Sequence, residues 1–423
     1  MKICSQLLLI AVMVFLLTGC TQKGPGAGIR RASYPSLASS TKTFRWLVVK
    51  CQLADVPTIP AGLDAQINQF FGISGAGYGN MVDYFHDVSY NQASVISDKT
   101  LGWIKVPFKS TDLTGSGRLA GNRKQRVIEC LQATPADQLT DLDEYYGVVV
   151  INNTIQDGGA AYIGQQSITI GNKSFNLACV WFDPKSLKTE FAAHEIAHGL
   201  GLDHSFADTK ANCGGLPGEY CDPFDIMSAQ GTYQFVDPNF LFQGNPTGGG
   251  PGLNAPGLLR MGWIPADNQP RFQHEGGEQG FTLRALSHPR GTGPLVVILD
   301  VGSEQPLGGI YTIEYRQADG WDEGFAGPSA PATVQLSKGV VLVHQFLPAG
   351  APASTWITRS AGGALQPCNT LVLQGVAGAV FHVSVLGFDI ADGFAKITVG
   401  FGRGSFLPCD ILKKGVIDTR HVH

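Results

Sequence analysis

Charged residues are scarce in this sequence. Asp, Glu, Lys and Arg make up 15% of its 423 residues, and the formal net charge is only −4. An average soluble domain carries about 25% charged residues, so no large basic surface is expected for nucleic acid or an anionic membrane. Glycine is abundant instead, with 54 residues, and proline is common, with 24. This composition favours the strands and loops of an extracellular protein over a helical bundle.

Long apolar runs are also missing, apart from one at the N-terminus. Leu7 to Leu17 is too short to span a bilayer comfortably. The run ends in Leu17-Thr18-Gly19-Cys20, which looks like a bacterial lipobox, and a plain secretory signal with a chance cysteine is the alternative. We predict a signal peptide over 1–19 and a lipidated, flexible tether over 20–42, with the lipid on Cys20 attaching the chain to a membrane. The protein is then exported, and it is either anchored at a bacterial membrane or cell surface or released extracellularly.

One stretch of the sequence carries the chemistry, His194 to His204, which reads HEIAHGLGLDH. Its first half is an HExxH motif on a predicted helix. Four residues turn an α-helix by about 400°, so His194 and His198 share one face, where two imidazoles can hold one Zn²⁺. Glu195 lies beside that face and can reach a water on the metal without being a ligand.

Gly201 and His204 complete the predicted site. Glycine adopts positive φ without a Cβ penalty, so the chain can turn at Gly201 and bring His204 back as the third ligand. Three neutral imidazoles leave the fourth position of a tetrahedral ion open, which is typical of catalytic zinc. We therefore predict one catalytic Zn²⁺ held by His194, His198 and His204. A buried helix with coincidental histidines is the alternative.

The full spacing HExxHxxGxxH resembles that of the metzincin metallopeptidases, whose second hallmark is a methionine turn downstream. Asp225-Ile226-Met227-Ser228 is the candidate turn in a chain with only five methionines. The resemblance implies that Met227 packs beneath the zinc and does not bind it.

Three further stretches resemble landmarks of the gametolysin and immune-inhibitor-A group of metzincins. They are DYFHDVSY from Asp83, EYCDPFDIMS from Glu219 and LNAPGLLRMGW from Leu253. The resemblance covers about residues 43–265. Members of that group often carry a prodomain with a metal-masking residue, and residues 21–42 are too few to form one.

The length suggests two or three domains. The resemblance implies an α/β (α+β) catalytic domain over 43–268, with a twisted mixed sheet and a zinc helix from Ser186 to Leu200. From about Gln273 the pattern changes to alternation with glycine-punctuated strands. This pattern predicts an all-β, sandwich-like domain over 273–410, followed by a tail over 411–423.

Three local predictions concern the surroundings of the site. Val95 to Pro107 is expected to form a pair of strands. Ala178 to Phe182 is expected to be the edge strand along which an extended peptide adds by β-pairing. Gln230 to Phe242 is expected to form the wall of the substrate pocket.

The cysteines argue against a cysteine zinc site, since the sequence has no CxxC. Seven of the nine cysteines lie after Cys20, so at least one is unpaired or bonds elsewhere. Export places them in an oxidising compartment, where disulfides persist. We predict Cys213–Cys221, which closes the loop between the zinc motif and the methionine turn, and Cys368–Cys409 as a second choice.

Two groups of polar residues near the motif have open roles. Tyr220 and Tyr233 are candidate oxyanion donors, and aromatic packing in a loop is the other interpretation. Asp203, Asp222 and Asp225 could bind a structural cation such as Ca²⁺, although nothing else in the sequence indicates Ca²⁺ and loop capping by aspartate explains them better.

Together, these residues predict a secreted, membrane-anchored zinc endopeptidase that acts as a monomer on extracellular proteins or peptides. Zn²⁺ lowers the pKa of a bound water to about 7, and Glu195 is the predicted general base. Two alternatives stay open. One is a non-enzymatic adhesin or binding lipoprotein that uses the C-terminal β domain, and the other is an amidase that acts on cell-wall peptides.

Overall fold

The structure of the protein is a computed structural model. It describes residues 41–75, 80–156, 158–228, 231–242, 245–272, 277–301, 309–327, 336–350, 352–358, 363–374 and 380–402. The predicted signal peptide, Cys20, Cys409 and the tail over 411–423 lie outside these ranges. Within the described ranges, no helix combines the length and the hydropathy needed to cross a bilayer.

The N-terminal half is built on a six-stranded mixed sheet, in agreement with the expected fold class. Its strands are β1 Lys42–Gln52, β2 Ala93–Lys105, β3 Gly147–Asn152, β4 Ala160–Ala161, β5 Gln166–Ile170 and β6 Lys173–Phe182. Four of them run parallel in the order β2-β1-β3-β6, and β4 and β5 each pair antiparallel with β6. The sequence GVVVIN of β3 is buried throughout, as expected for a central parallel strand covered on both faces.

Helices cover the two faces of this sheet. They are α1 Leu63–Phe70, α2 Met81–Val88, α3 Arg123–Ala133, α4 Thr189–Leu200 and the short α5 Ala255–Arg260. Side chains of β1 alternate between the faces: Trp46 and Val48 join the core of α1, α2 and α4, whereas Leu47 and Val49 join the core of α3. The period of two along the strand therefore divides one half of the protein into two cores.

Two local predictions about this sheet are wrong. Val95 to Pro107 does not form a pair of strands, because the segment continues as the single strand β2, whose partner β1 comes earlier in the chain. Ala178 to Phe182 is not an edge, because β3 pairs with one side of this segment and β4 with the other. The edge at the end of the sheet next to α4 is the two-residue strand β4.

The remaining strands build a hairpin and two further sheets. They are β7 Ser205–Ala207, β8 Phe235–Phe242, β9 Asn245–Gly249, β10 Arg271–Phe272, β11 Gln279–Arg284, β12 Val296–Asp300, β13 Ile310–Arg316, β14 Val340–Phe346, β15 Ser354–Trp356, β16 Thr370–Gln374, β17 Val380–Asp389 and β18 Phe394–Phe401. One sheet has the order β10-β12-β13-β14-β15-β7 and the other the order β11-β18-β17-β16. Side chains of both sheets form one buried cluster, which is consistent with the predicted sandwich. The predicted pocket wall falls mainly on β8, which pairs with β9, and Gln230 lies outside the described residues.

The two halves are joined by buried contacts. Trp321 packs edge-on against Tyr84 of α2, with ring centroids 4.9 Å apart, and its indole N–H donates to Asp87 at 3.2 Å. Trp321 and Leu286 also belong to the core that covers the α4 face of the N-terminal sheet. The domain boundary near 268–273 stays a prediction, and a continuous apolar core crosses it.

Two disulfides are formed between described cysteines. Cys213–Cys221 is the predicted pair. Cys51–Cys130, which ties β1 to α3, was not predicted, because nothing in the spacing of these residues marks them as neighbours. Cys179 is free and buried, and Cys368 is disulfide-bonded, while its predicted partner Cys409 lies outside the described residues.

Gly199 is where α4 approaches the sheet most closely. A Cβ built there would lie 2.6 Å from the indole of Trp46 and 3.2 Å from the Cβ of Ala178. Alanine favours a helix over glycine by about 1 kcal/mol, but overpacking a core costs about 1–3 kcal/mol. Because the helix preference offsets about 1 kcal/mol of that cost, we expect Gly199→Ala to lower the free energy of unfolding by up to about 2 kcal/mol in urea titrations. Gly102→Ala, where a Cβ meets open space, is the control, and equal effects of the two variants would refute this packing account.

Candidate metal centre

The helix α4 presents the HExxH motif, and it begins later than predicted. A 3₁₀ turn, Pro184–Ser186, precedes it, and the Asp183 carboxylate caps that turn by accepting from the N–H groups of Lys185 and Ser186. Leu187 then leaves helical geometry, with ψ 65°, so α4 starts at Thr189. The predicted start at Ser186 joined two separate helical segments into one.

The helix ends at Gly201, which has φ 110°. Its N–H donates to the carbonyl of His198, and the N–H of Leu202 donates to that of Ala197, so the last turn is closed by a left-handed residue. A Cβ at this φ is strained, which explains glycine at this position. The turn directs the chain back across the end of α4, and His204 follows three residues later.

The imidazoles of His194, His198 and His204 meet at one point. Their candidate ligand atoms all lie within 4.8 Å of one another. The Nε2 atoms of His194 and His198 are 3.0 Å apart, and the ring of His204 has its centroid 5.5 Å from that of His194 and 4.7 Å from that of His198. Two nitrogens on a tetrahedral Zn²⁺ lie about 3.3 Å apart, so the spacing of the helical pair matches a shared ion closely.

Each histidine uses its Nδ1 atom for a hydrogen bond to an oxygen acceptor. His194 donates to the carbonyl of Ile226 at 3.0 Å, and His198 donates to the carbonyl of Leu202 at 2.7 Å. His204 donates to the carboxylate of Glu219 at 2.6 Å. Because these oxygens only accept, the proton of each neutral ring resides on Nδ1, which leaves the Nε2 lone pair available as an acceptor or a ligand.

This donor set fits a metal ion. Two Nε2 lone pairs at 3.0 Å repel each other, and a cation between them removes the repulsion. Burial, followed by the neighbouring imidazoles, lowers the pKa of His194 well below its usual value and that of His198 to about 4. Both rings are therefore neutral at pH 7, the form that binds metals. Three neutral imidazoles are typical ligands of Zn²⁺.

Glu195 lies beside this centre on the side of β4. The carboxyl group is buried, and burial raises its pKa to about 8, although a backbone hydrogen bond from Ala161 opposes the shift. The side chain points about 100° away from His194 around the helix axis, so it flanks the imidazoles without joining them. A carboxylate placed in this way can accept a proton from a water held at the centre.

Of the two candidate tyrosines, Tyr220 lies at the centre and Tyr233 lies elsewhere. The hydroxyl of Tyr220 donates to Nε2 of His204 at 2.7 Å. Tyr220 has φ 60°, and its ring fills the space that a Cβ on Gly214 would need, so a strained backbone holds the phenol in place. Tyr233 packs edge-on against Phe224 and Phe325, which agrees with the interpretation of this residue as aromatic packing in a loop.

The predicted methionine turn forms a 3₁₀ turn, Ile226–Ser228, against α4. The side chain of Met227 is 2% exposed and joins the same apolar core as Ala193 and Ala197. The carbonyl of Ile226 is the group that orients His194. The turn therefore supplies both apolar packing and a polar anchor to the first histidine.

The three aspartates near the motif bond to protein groups. Asp203 pairs with Arg260 at 3.1 Å, and Asp222 accepts from the imidazole of His344 at 3.0 Å. The Asp225 carboxylate accepts from the hydroxyl of Ser205. These contacts agree with the structural interpretation of the three aspartates.

Glu219 is the functional residue that sequence reasoning missed. One oxygen accepts from His204, and the other accepts from the N–H groups of Gly215 and Leu216 at 2.9 and 2.8 Å. Burial raises its pKa, but these hydrogen bonds outweigh burial and hold the pKa below its usual value, so the carboxylate is charged. Glu219 stands next to Tyr220 in the quoted motif, but no spacing rule links it to a histidine fifteen residues earlier.

We expect Glu219→Gln to weaken Zn²⁺ binding by about 10- to 100-fold, because a neutral amide orients His204 less firmly and makes it a poorer ligand. Competition with a chelating dye measures the dissociation constant. Glu144→Gln, on an exposed side chain that pairs with Arg45, is the matched control. Equal affinity in Glu219→Gln and the control would show that the carboxylate does not orient the ligand.

Comparisons with known proteins add little to this geometry. No family model matches the sequence, and no curated protein matches it. Among solved structures, the chain is similar to a crystal structure of metalloproteinase-II from Bacteroides fragilis, with 16% identity and a TM-score of 0.25. The match covers 45% of this chain and 54% of that chain, so the chain spans about half the length of the protein it matches. A likeness at this level carries no conclusion about activity.

Proposed function

We propose that this protein is a zinc endopeptidase of the metzincin type. One observation carries the proposal: three imidazoles converge so that a ligand nitrogen of each lies within 4.8 Å of the other two, with each Nδ1 bonded to an oxygen. A buried carboxylate, Glu195, flanks that point. Imidazole ligands with an adjacent carboxylate favour Zn²⁺ hydrolysis chemistry over a structural site.

The ion would supply Lewis acidity toward a carbonyl oxygen and a lower pKa to a bound water. Glu195 accepts the proton of the water that attacks the peptide carbonyl carbon, and then delivers it to the leaving nitrogen. With Nε2 of His204 bound to the ion, the hydroxyl of Tyr220 would be free to donate to the oxyanion that develops on the carbonyl oxygen. The methionine turn holds His194 in position during both steps.

The substrate is an extended peptide that adds to the sheet at β4. Among the described strands, this two-residue strand ends the sheet on the side of α4, and it is antiparallel to β6. Ala161 in β4 also interacts with Glu195 through its backbone, so a peptide bound along this edge passes directly over the catalytic carboxylate. The edge position that the sequence suggested for Ala178 to Phe182 therefore moves one strand outward.

Export and anchoring belong to the same proposal. The lipobox at Cys20 would place the enzyme at a membrane surface, and the two described disulfides are compatible with an oxidising compartment. Proteins and peptides outside the cytoplasm are then the substrates, and the protein acts as a monomer.

Metal removal tests the proposal directly. We expect the protein to bind one Zn²⁺ per chain, to lose cleavage of a peptide library after treatment with 1,10-phenanthroline, and to recover it when Zn²⁺ is restored. The library should consist of peptides from digested proteins, so that internal cleavage can be told from trimming of the ends. Unchanged cleavage by protein that measurably lacks metal would refute the zinc mechanism.

Replacing the general base separates metal binding from catalysis. Glu195→Gln should retain Zn²⁺ but lose about 10²- to 10⁴-fold in kcat, because an amide cannot accept the proton. Glu144→Gln again serves as the control, since it removes one carboxylate from the surface. A Glu195→Gln enzyme with the kcat of the unmodified protein would show that another group is the base.

A further inference from the structure

The chain continues from His204 directly into β7, an edge strand of the sheet that contains β10 and β12 to β15. Residue 205, next to His204, begins β7, and Ser205 pairs with Ser354 of β15. The contact continues beyond the strands, where the carboxylate of Asp208 accepts from both the N–H and the hydroxyl of Thr358 at 2.6 Å. The backbone that carries His204 is therefore one strand of a sheet whose other strands come from residues 271–356.

A buried set of polar side chains, here named the junction network, reinforces this pairing. Its members are at most 5% exposed and come from both halves: Ser205, Asp222, Asp225, Asn254, His344 and Ser354. The amide of Asn254 donates to the hydroxyl of Ser354 at 2.7 Å and to Asp222 at 3.4 Å. The imidazole of His344 donates to the same Asp222 oxygen at 3.0 Å.

The junction network also reaches the methionine turn. Asp225 accepts from the hydroxyl of Ser205 and from the backbone N–H of Asn254, and the next residue along the chain is Ile226, whose carbonyl orients His194. One carboxylate thus connects the strand that follows the third histidine with the turn that holds the first. Asn254 links both positions to Ser354 of β15 directly, and to His344 of β14 through Asp222.

A second chain of contacts arrives at Ile226 from β13. The buried guanidinium of Arg316 pairs with Asp322, and Asp322 accepts from the N–H of Gly252 at 3.1 Å. The carbonyl of Gly252 accepts from the N–H of Ile226 at 3.3 Å. Ile226, whose carbonyl orients His194, is therefore connected through its own N–H and Gly252 to Asp322 and Arg316 of the C-terminal half.

We infer that the C-terminal sheet is a working part of the metal centre, and that Ser354 and His344 are positioning residues for His204 and for the carbonyl that orients His194. This inference rests on the proposed metal site. His194 and His198 share a rigid helix, but His204 stands after a glycine turn and needs its position fixed from outside. Fixing it before the ion arrives removes an ordering cost that would otherwise weaken binding.

A pair of serine variants tests this inference on the full chain. Ser354→Ala removes the hydroxyl that accepts from Asn254, whereas Ser384→Ala removes a similar buried hydroxyl, which bonds Thr370 at 2.9 Å in the other sheet. We expect Ser354→Ala to weaken Zn²⁺ binding about tenfold, and Ser384→Ala to leave it unchanged. The melting temperatures of the metal-free proteins, measured in parallel, show whether the two variants lose similar stability.

His344 provides a second test with its own rescue. His344→Met removes the N–H that donates to Asp222 and puts an apolar side chain of similar length in its place. His344→Gln offers an N–H close to the position of Nε2. We expect the methionine variant to bind Zn²⁺ more weakly than the glutamine variant, at equal far-UV circular dichroism. If the methionine variant does not fold, the serine pair decides alone.

The possible results lead to different conclusions. Equal Zn²⁺ affinities in Ser354→Ala and Ser384→Ala, or a loss that follows melting temperature in both, would overturn the positioning role. Normal Zn²⁺ binding without peptide cleavage in the unmodified protein would refute the proposed peptidase and leave the positioning role intact. Failure of the unmodified protein to bind Zn²⁺ at all would refute both.

Discussion

The hydrogen bonds at the three Nδ1 atoms are the constraint on which the rest of this site depends. An imidazole offers a lone pair on one nitrogen only when its proton is kept on the other. The carbonyls of Ile226 and Leu202 and the carboxylate of Glu219 keep it there. Each acceptor comes from a different segment: the methionine turn, the residue after the glycine turn, and the disulfide-closed loop. The spacing of the three histidines alone would not produce a metal site, because each ring also needs a hydrogen-bond acceptor for its Nδ1 proton.

The structure changes how the C-terminal half should be regarded. As an independent adhesin, the β domain would fold and act without the N-terminal half. Instead, one of its sheets includes β7, which follows His204, and its residues Leu286 and Trp321 pack in the core around α4. Residues 270–410 produced alone would lack one strand of a sheet and would expose these apolar side chains to water. The chain is better described as one structure in which the C-terminal β-rich part supports the cluster of His194, His198 and His204.

The sequence predicted those parts of the site that lie close together along the chain. The helical period placed His194 and His198 on one face, and the positive φ open to Gly201 explained the return of His204. Contacts between segments that are distant along the chain could not be predicted from the sequence. The identity of the edge strand depends on which strands pair, and the two residues of β4, which cover one side of β6, carry no recognisable strand pattern. For the same reason, the sequence did not predict the contact of Glu219 with His204, the Cys51–Cys130 disulfide or the partners of β7.

Burial of Glu195 links its protonation to the occupancy of the site. Without a cation nearby, its pKa of about 8 leaves most of the carboxyl groups protonated at pH 7, and a protonated acid cannot act as a base. A divalent ion at the histidines favours the charged carboxylate by direct attraction and so lowers that pKa. The same burial strengthens the attraction, because little water lies between the charges to screen it. In the proposed mechanism, the carboxylate form of Glu195 is therefore favoured when an ion is bound at the histidines, and a carboxylate exposed to solvent would lack this dependence.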